Sequence, residues 1–173
     1  MTAISSTSEY DLFTEQTVQQ IDQLRSIAIQ TNQTIGVTFS CFDIMHPGHI
    51  KMLADAKKQC DLLVVGLQTD PTIDRPYKNQ PIQTYEEREI MVSACRYIDH
   101  LIKYATESDV NNILIHLQPD IRILGSDYQD QSFTGDHLSI PIYYHHRNHN
   151  WSSTDFRRRI HQAEQAKNSK NID

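Results

Sequence analysis

Hydrophobic positions in this chain follow the helical period first and then change to short continuous runs. Between Thr14 and Gln30, apolar residues recur at helical spacing, at Val18, Ile21, Leu24 and Ala28. This spacing predicts an amphipathic helix that packs its apolar face on the rest of the protein. The runs that follow are short and apolar throughout, which is typical of strands buried on both faces.

Five strand-like runs then alternate with helical stretches. The predicted strands are Ile35–Ser40, Leu62–Leu67, Tyr97–Lys103, Ile121–Leu124 and Ile140–Tyr144. The predicted helices run from Pro47 to about Gln59, from Thr84 to about Cys95, from Ser108 to Leu117 and from Ser153 to about Lys167. This alternation predicts an α/β fold with a doubly wound, Rossmann-like, five-stranded parallel sheet, whose ligand lies at the carboxyl ends of the strands.

The pattern divides the chain into three parts. Residues 1–33 form an N-terminal extension that carries the first helix, residues 34–167 form the main domain, and residues 168–173 form a polar tail that we expect to be disordered. The segment from Met1 to Tyr10 is polar and rich in Ser and Thr, so it lacks the apolar region of a secretory signal. We expect a frayed end there.

Composition narrows the range of partners. The 173 residues include 16 Lys and Arg against 22 Asp and Glu, a net charge of −6, which argues against general binding to nucleic acid. The three cysteines have no paired spacing, and no apolar segment approaches the roughly 20 residues of a membrane span. We therefore expect a reduced, cytoplasmic protein with neither nucleic-acid nor membrane partners.

The tetrapeptide His46-Pro47-Gly48-His49 follows the first predicted strand. Pro47 suits the first position of a helix, Gly48 allows close approach of a ligand to the backbone, and His49 lies beside unpaired N–H groups. Both imidazoles can then face one anion, as stabilisation of a departing pyrophosphate requires. The alternatives are a surface turn or half of a metal site, although helical metal ligands usually lie four residues apart.

The ten residues from Ser40 to His49 resemble the signature of the cytidylyltransferase-like nucleotidyltransferases, whose turn reads G-T/C-F-D-x-x-H-x-G-H. The resemblance extends from about Ile35 to Ile160. It implies transfer of a nucleoside monophosphate to a phosphorylated acceptor, with catalytic roles for His46 and His49. It also implies that these two histidines bind the nucleotide together with Cys41, Phe42 and Asp43, and that Asp43 also contacts the acceptor.

Two arginine segments resemble further motifs of this family. Thr84 to Arg88 is similar to Y-E-x-R, and Arg96 to Asp99 is similar to R-Y-V-D. The resemblance implies that Arg88 is catalytic and that Arg96 orients the acceptor phosphate. The alternatives are an ordinary charged helix face for Arg88 and a subunit-interface ion pair for Arg96.

The end of the fourth predicted strand resembles the G-D-D-W or G-G-D-Y stretch of the family. The resemblance implies that Asp127 and Tyr128 bind the acceptor, although a simple Gly-Ser-Asp turn is the alternative. Lys78 lies in the long loop between Leu67 and Thr84, and we expect it to be a mobile catalytic lysine that reaches the phosphates. A solvated loop cation is the alternative.

The segment from Arg147 to Thr154 corresponds to the family's R-T-E-G-I-S-T-T. The resemblance implies nucleotide binding by four of its residues, which are Arg147, Ser152, Ser153 and Thr154. A plain N-cap is the alternative role for the hydroxyl residues. Residues 148–151 depart from the family pattern, and we expect Trp151 to pack rather than to bind a base.

Two further clusters near this segment are assigned no role at the site. Arg157, Arg158 and Arg159 span nearly a full helical turn and point different ways, so they are interpreted as surface charge. A metal site at His145, His146 and His149 is disfavoured because adjacent strand residues face opposite sides.

The signals for the nucleotide disagree. Cys41, the leading helix and the spacing from Pro119 to Gly135 look like heptose-phosphate adenylyltransferases, whereas the arginine segments look like glycerol-3-phosphate cytidylyltransferases. Because the arginines place charge near the chemistry, the sequence favours CTP with glycerol 3-phosphate. ATP with a sugar phosphate such as heptose 1-phosphate is the alternative, and a catalytically silent nucleotide sensor is a second one. The resemblance also implies a homodimer and Mg²⁺ held mainly by the triphosphate.

Overall fold

The computed structural model describes residues 12–170, which form a single parallel sheet with helices on both faces. The strands are β1 (Ile35–Ser40), β2 (Leu62–Gln68), β3 (His100–Tyr104), β4 (Ile121–Gly125) and β5 (Ile142–His145). The helices are α1 (Glu15–Thr31), α2 (Pro47–Lys57), α3 (Tyr85–Ser93), α4 (Glu107–Leu117) and α5 (Ser153–Lys170). The sheet order is β3-β2-β1-β4-β5, which confirms the predicted doubly wound α/β fold.

The element boundaries differ from the predicted ones mainly where the signals are weak. The third strand begins at His100 rather than Tyr97, and the last begins at Ile142 rather than Ile140. The expectation of a disordered tail is wrong for residues 168–170, because α5 continues to Lys170. The predictions for Met1 to Tyr10 and for the last three residues lie outside the described part of the chain.

Two layers of apolar side chains cover the faces of the sheet. Helix α1 supplies Ile21 and Leu24 to the layer that it shares with α4, and both side chains are nearly or fully buried. This is the docking surface that the amphipathic spacing requires. On the opposite face, α2 and α3 pack Leu53 and Val92 against β2. Burial of each such side chain stabilises the fold by about 1.5–3 kcal/mol, so both faces of the sheet are firmly anchored.

The sheet opens between β1 and β4, where the strand order reverses. Strand β1 pairs with β2 over six residues, but it pairs with β4 only through Gly36 with Ile121 and Val37 with Arg122. Such a reversal leaves a crevice at the carboxyl ends of the strands, where open α/β sheets bind ligands. Within residues 12–170, no helix has both the length and the apolar character that crossing a membrane requires.

Candidate active site

A cavity of about 710 Å³ lies at this carboxyl edge. Of the sequence-predicted site residues, eight line it: His46, His49, Lys78, Asp127, Tyr128, Arg147, Ser152 and Ser153. Six others do not line it: Cys41, Phe42, Asp43, Arg88, Arg96 and Thr154. The cavity is large enough for a nucleotide, since small-molecule sites commonly span about 300–1,000 Å³.

The two signature histidines are held by the start of α2. His46 is the N-cap of this helix, and its Nδ1 accepts the Gly48 N–H at 3.1 Å. The Nδ1 of His49 accepts the His46 N–H at 3.3 Å, and the two rings stack with centroids 3.9 Å apart. Because each Nδ1 accepts a hydrogen bond from a backbone N–H, each neutral ring carries its own hydrogen on Nε2. Nε2 is therefore the nitrogen that can donate to a ligand.

Both histidines are neutral at physiological pH. Burial lowers the pKa of His49 to about 3, and the neighbouring charges of His46 and Arg147 act in the same direction. Burial, followed by His149 and Arg147, also lowers the pKa of His46. A neutral imidazole with a fixed donor polarises an oxyanion without holding a full charge. The positive charge of the site must come from other groups.

Gly48 lies where two other rings leave no room for a side chain. A Cβ added at this position would lie 2.8 Å from Cε1 of His149 and 2.9 Å from Cε1 of His46. His149 in turn stacks on Trp151 with centroids 4.9 Å apart, and Lys51 Nζ lies 5.3 Å from the Trp151 ring centroid. Trp151 is 42% exposed and lines the cavity, so the expectation that it packs rather than binds a base stays a prediction.

The loop between β1 and α2 is strained and held from outside the cavity. Phe42 and Ile44 adopt left-handed backbone conformations, with φ of 51° and 48°, which cost about 1–3 kcal/mol each for residues other than glycine. Between them, Asp43 accepts the N–H groups of Ile82 and Gln83, each at 3.0 Å. The carboxylate thereby joins this loop to the residues that precede α3.

Asp43 also forms an ion pair with Arg157, so the assignment of Arg157 to surface charge is wrong. Asp43 is only 8% exposed, and its partners Ile82, Gln83 and Arg157 do not line the cavity. Its position therefore does not match the predicted contact with the nucleotide. Phe42 is 1% exposed in the α2/α3 layer, where its ring lies 5.3 Å from that of His49. Burial raises the pKa of the Cys41 thiol. None of these three side chains lines the cavity, and the ligand contacts expected of them stay predictions.

Arg88 does not line the cavity, so its position does not match the expected catalytic role, which stays a prediction. Its side chain is 1% exposed, and it donates to four backbone carbonyl oxygens. These acceptors belong to Gln83 (3.3 Å), Cys41 (2.8 Å), Gln68 (2.5 Å) and Thr69. The guanidinium therefore joins the start of α3 to the ends of β1 and β2. Four of its five N–H donors are thereby used within the fold.

Arg96 and Thr154 also lie outside the cavity. The Arg96 guanidinium donates to the Tyr97 hydroxyl at 3.0 Å and lies over the Tyr97 ring on the surface. Arg96 follows the C-terminal end of α3, so it lies at the opposite end of this helix from Arg88. Thr154 lies one residue inside α5 and is exposed. The neighbouring residues Ser152 and Ser153 do line the cavity.

Ser152 and Ser153 combine structural bonds with a position on the cavity wall. Ser152 Oγ accepts the Asp155 N–H at 3.1 Å, which is the N-cap alternative for this residue. Ser153 Oγ donates to the Asp43 carbonyl oxygen at 3.1 Å, so the start of α5 is joined to the β1–α2 loop. The starts of α2 and α5 therefore both adjoin the cavity, and helix N-termini favour anions.

The opposite wall carries Asp127, Tyr128 and Arg147. Arg147 Nη2 lies 3.5 Å from Asp127 Oδ1, and both side chains are more than half exposed. Tyr128 makes an edge contact with the Phe133 ring. Lys78 lines the cavity from the long loop and rests on the Tyr77 ring. These positions agree with the expected ones, and the roles of these residues stay predictions.

Several polar residues of the cavity were missed by the sequence analysis, among them Arg75, Glu107, Arg122 and Thr134. Arg75 Nη1 lies 3.1 Å from Glu107 Oε1, and the Thr134 hydroxyl donates to the same carboxylate. Glu107 begins α4 just after the carboxyl end of β3, a position that sheet topology could have indicated. Arg122, a cation within an apolar strand, was a visible anomaly.

His145, at the end of β5, is buried on the cavity wall and held by Asp55 of α2. Its Nδ1 lies 2.8 Å from Asp55 Oδ2, and the Tyr143 hydroxyl donates to the same oxygen at 2.9 Å. Its Nε2 is buried with no hydrogen-bond partner among the described residues. The pair fixes β5 against α2 beside the histidine turn.

The fold and the site together define a nucleotide-binding α/β domain. The strand order reverses, a helix capped by a histidine begins at that point, and a second helix begins across the cavity. The chain belongs to the cytidylyltransferase-like family, whose sequence profile matches residues 37–159. This confirms the resemblance and identifies a domain of the nucleotidyltransferase type.

Similar proteins include the "Bifunctional protein HldE" of Nitrobacter hamburgensis, 33% identical over 124 residues that cover 71% of this chain and 25% of the relative. The protein of the same name from Campylobacter jejuni is 31% identical over 125 residues, 72% of this chain and 27% of the relative. The chain thus spans about a quarter of the length of these relatives.

Two solved structures share the fold. A lipopolysaccharide core biosynthesis protein from Thermoplasma volcanium is 28% identical with a TM-score of 0.53, over 69% of this chain and 99% of that one. Pantoate-beta-alanine ligase from Francisella tularensis is 18% identical with a TM-score of 0.56, over 81% of this chain and 73% of that one. The second likeness concerns the fold alone.

Proposed function

We propose that this protein transfers the adenylyl group of ATP to the phosphate of a sugar phosphate such as heptose 1-phosphate, releasing pyrophosphate. The observation that carries the proposal is the similarity to the HldE proteins, which suggests the adenylyltransferase step of ADP-heptose synthesis. This favours the alternative over CTP and glycerol 3-phosphate, for which the comparisons give no support.

The site geometry removes the reason for preferring CTP. That preference depended on Arg88 and Arg96 lying near the chemistry. Arg88 is buried among backbone carbonyls and Arg96 lies outside the cavity. The remaining similarities, Cys41 and the spacing to Gly135, are those of heptose-phosphate adenylyltransferases.

In the proposed reaction, an oxygen of the acceptor phosphate attacks the α-phosphorus of ATP in line. The bond from the α-phosphorus to its bridging oxygen breaks, and pyrophosphate leaves with the electron pair. His46 and His49 donate from Nε2 to the phosphate oxygens on which charge develops, because each Nδ1 is already an acceptor. Their lowered pKa values make them donors of hydrogen bonds rather than sources of protons.

Positive charge would come from residues on the cavity wall. Arg147 and Lys78 line the cavity and would balance the triphosphate. The starts of α2 and α5 add their backbone N–H groups, with Ser152 and Ser153 beside them. Asp127 and Tyr128 would contact the acceptor, as the family resemblance implies.

Mg²⁺ is part of the proposal as an ion carried by the triphosphate. Residues 12–170 contain no group of three His, Cys, Asp or Glu side chains arranged to hold a metal. Mg²⁺ commonly keeps several waters and binds substrate phosphates with only one or two protein carboxylates. It would supply charge neutralisation at the phosphates.

Pyrophosphate release tests the proposal. ATP, CTP, GTP and UTP are each combined with heptose 1-phosphate, mannose 1-phosphate and glycerol 3-phosphate in the presence of Mg²⁺. We expect release with ATP and a sugar 1-phosphate. Release with CTP and glycerol 3-phosphate would restore the first expectation, and tight ATP binding without release from any pair would indicate the sensor. The homodimer stays a prediction, which sedimentation of the same sample addresses.

A further inference from the structure

Arg122 is buried beside the cavity without a counter-ion. Its side chain is 4% exposed, and no carboxylate of residues 12–170 lies within ion-pair distance of it. Its guanidinium makes one hydrogen bond within the described chain, from Nη1 to the Thr134 carbonyl oxygen. Its Nε is fully buried with no partner. A buried charge in this state is costly unless another group pairs with it.

Two other arginines of this region, the buried Arg88 and the partly buried Arg75, have more partners. Arg88 donates to four carbonyl oxygens, as described above. Arg75 has Glu107 at 3.1 Å and also donates to Gln68 Oε1 at 2.6 Å. Glu107 and Asp136 act on Arg122 only from longer range, and burial lowers the Arg122 pKa against their effect. Arg75 Nε also lacks a hydrogen-bond partner among the described residues, but Arg75 has carboxylates beside it, so what sets Arg122 apart is the absence of an ion pair together with the unpartnered Nε.

The position of Arg122 makes it reachable from the cavity. It is the last residue of β4 that pairs with β1, so it lies where the two strands stop pairing and the crevice begins. Its guanidinium lies against the rings of Phe39 and Phe133, with centroids 5.6 and 5.2 Å away. These contacts fix the guanidinium, and Arg122 is one of the residues that line the cavity.

The turn beside Arg122 is shaped to meet it. Gly135 has φ of +80°, and a Cβ added there would lie 3.1 Å from Nη1 of Arg122. A side chain at this position would press on the guanidinium, so glycine lets the Thr134 carbonyl approach it. Nη1 of the guanidinium thus donates to the Thr134 carbonyl oxygen, and Nε has no hydrogen-bond partner among the described residues.

Arg122 also lies apart from the histidine turn. Phe39, on which it rests, packs with the α1/α4 layer of the sheet, whereas Phe42 beside His49 belongs to the α2/α3 layer. The two groups therefore approach the cavity from opposite faces of the sheet. If the triphosphate occupies the histidine end, the Arg122 end is left for the second substrate.

We propose that Arg122 is the oxyanion anchor of the acceptor subsite, a specificity residue that binds a phosphate or carboxylate group of the acceptor. This inference rests on the proposed nucleotidyl transfer. A planar guanidinium whose Nε has no partner among the described residues matches the two oxygens of such a group once the ligand enters the cavity. The oxyanion is either the acceptor's reacting phosphate or a second acidic group on the same molecule.

Binding measurements test the anchor without any turnover. Wild type, Arg122→Met and Arg122→Lys are titrated with glucose 1-phosphate, glucuronic acid 1-phosphate and inorganic phosphate, with a non-hydrolysable ATP analogue present. Arg158→Met is the control, because Arg158 is exposed on α5 and pairs only with residues of that helix. We expect Arg122→Met to weaken oxyanion binding roughly 10- to 100-fold. Binding of the ATP analogue should change less than about 2-fold, since the anchor lies in the other subsite.

The pair of sugars separates the two sources of the oxyanion. An equal loss for both sugars identifies the reacting phosphate, and a loss confined to glucuronic acid 1-phosphate identifies a second acidic group. Unchanged binding of every probe in folded Arg122→Met overturns the proposal. The proposal is also overturned if the wild-type protein binds none of the probes, or if Arg122→Met loses only the binding of the ATP analogue.

The wild-type Arg122 Nε–H resonance covers the case in which Arg122→Met does not fold. This signal is assigned by its absence from Arg122→Lys and followed during titration with inorganic phosphate. A saturable shift supports the anchor, and a stationary signal at millimolar phosphate overturns it. Pyrophosphate release is measured separately. Oxyanion binding without pyrophosphate release would contradict the proposed function but support the role of Arg122. Pyrophosphate release with an unchanged acceptor KM in Arg122→Met would support the proposed function but contradict the role of Arg122.

Discussion

Replacement of Arg88 by Met should unfold the protein more readily rather than remove a catalytic group. The Arg88 side chain is 1% exposed, and its four hydrogen bonds end on backbone carbonyls. Met fills most of the space of the aliphatic part but donates nothing. Each buried carbonyl left without a partner costs about 1–3 kcal/mol, although the ones nearest the surface recover water. We expect a loss of about 3–5 kcal/mol in the free energy of unfolding.

Urea unfolding followed by circular dichroism measures this loss. The matched control is Arg158→Met on the exposed face of α5, where the ion pair with Asp155 is solvated. That variant should change the free energy of unfolding by no more than about 0.5 kcal/mol. Comparison of the midpoints at equal slope gives the difference, because an unchanged slope shows that the same surface is exposed on unfolding.

Activity of the same variants decides between the two roles for Arg88. If Arg88 supports the fold, the remaining folded Arg88→Met protein should bind ATP and turn over close to the wild-type rate per folded molecule. A variant with wild-type unfolding energy and a turnover reduced by orders of magnitude would refute this reasoning. It would restore the first expectation that Arg88 acts on phosphate.

Four further changes have defined outcomes. His46→Ala should lower turnover by roughly 10²–10³-fold while the fold survives, with His137→Ala on the exposed surface as control; normal turnover would contradict the donor role. His49 stays neutral when folded down to pH about 3, so its contribution to stability is present above pH 6.5 and lost as pH falls towards 3. The stability slope in this range, at most about 1.4 kcal/mol per pH unit, should be smaller in His49→Gln. Gly48→Ala should cost about 1–3 kcal/mol by urea unfolding, because its Cβ meets two imidazoles. Asp43→Asn should speed hydrogen exchange at the amides of residues 82 and 83; unchanged exchange would show that the carboxylate does not hold them.

The fold could be predicted because its signals are local. Capping residues marked the helix starts: Thr84 forms a capping box with Glu87, as the sequence pattern indicates. The apolar runs identified all five strands, since a strand buried on both faces needs little else. The ends were less certain, because residues such as those before His100 fit either a strand or a loop. The α5 end was missed because a polar helix can continue without an apolar face.

The histidine turn could also be predicted, since His46, Gly48 and His49 act through one another and through the start of their own helix. Arg88 could not, because its place in the first turns of α3 does not say which face it occupies. That direction depends on how α3 packs on the ends of β1 and β2. Arg157 was missed for the same reason: its partner Asp43 lies 114 residues away.

Two arginines in this structure show why burial alone does not identify a ligand-binding cation. Arg88 and Arg122 are both at most 4% exposed, and neither has an ion pair within the described chain. The difference lies in their donors, since those of Arg88 end on four carbonyl oxygens and Arg122 leaves Nε without a partner. The first arrangement is complete without a ligand, so its loss should appear in stability. The second is incomplete, so its loss should appear in the binding of an oxyanion, and the contrast between the two variants is the sharpest test of both assignments.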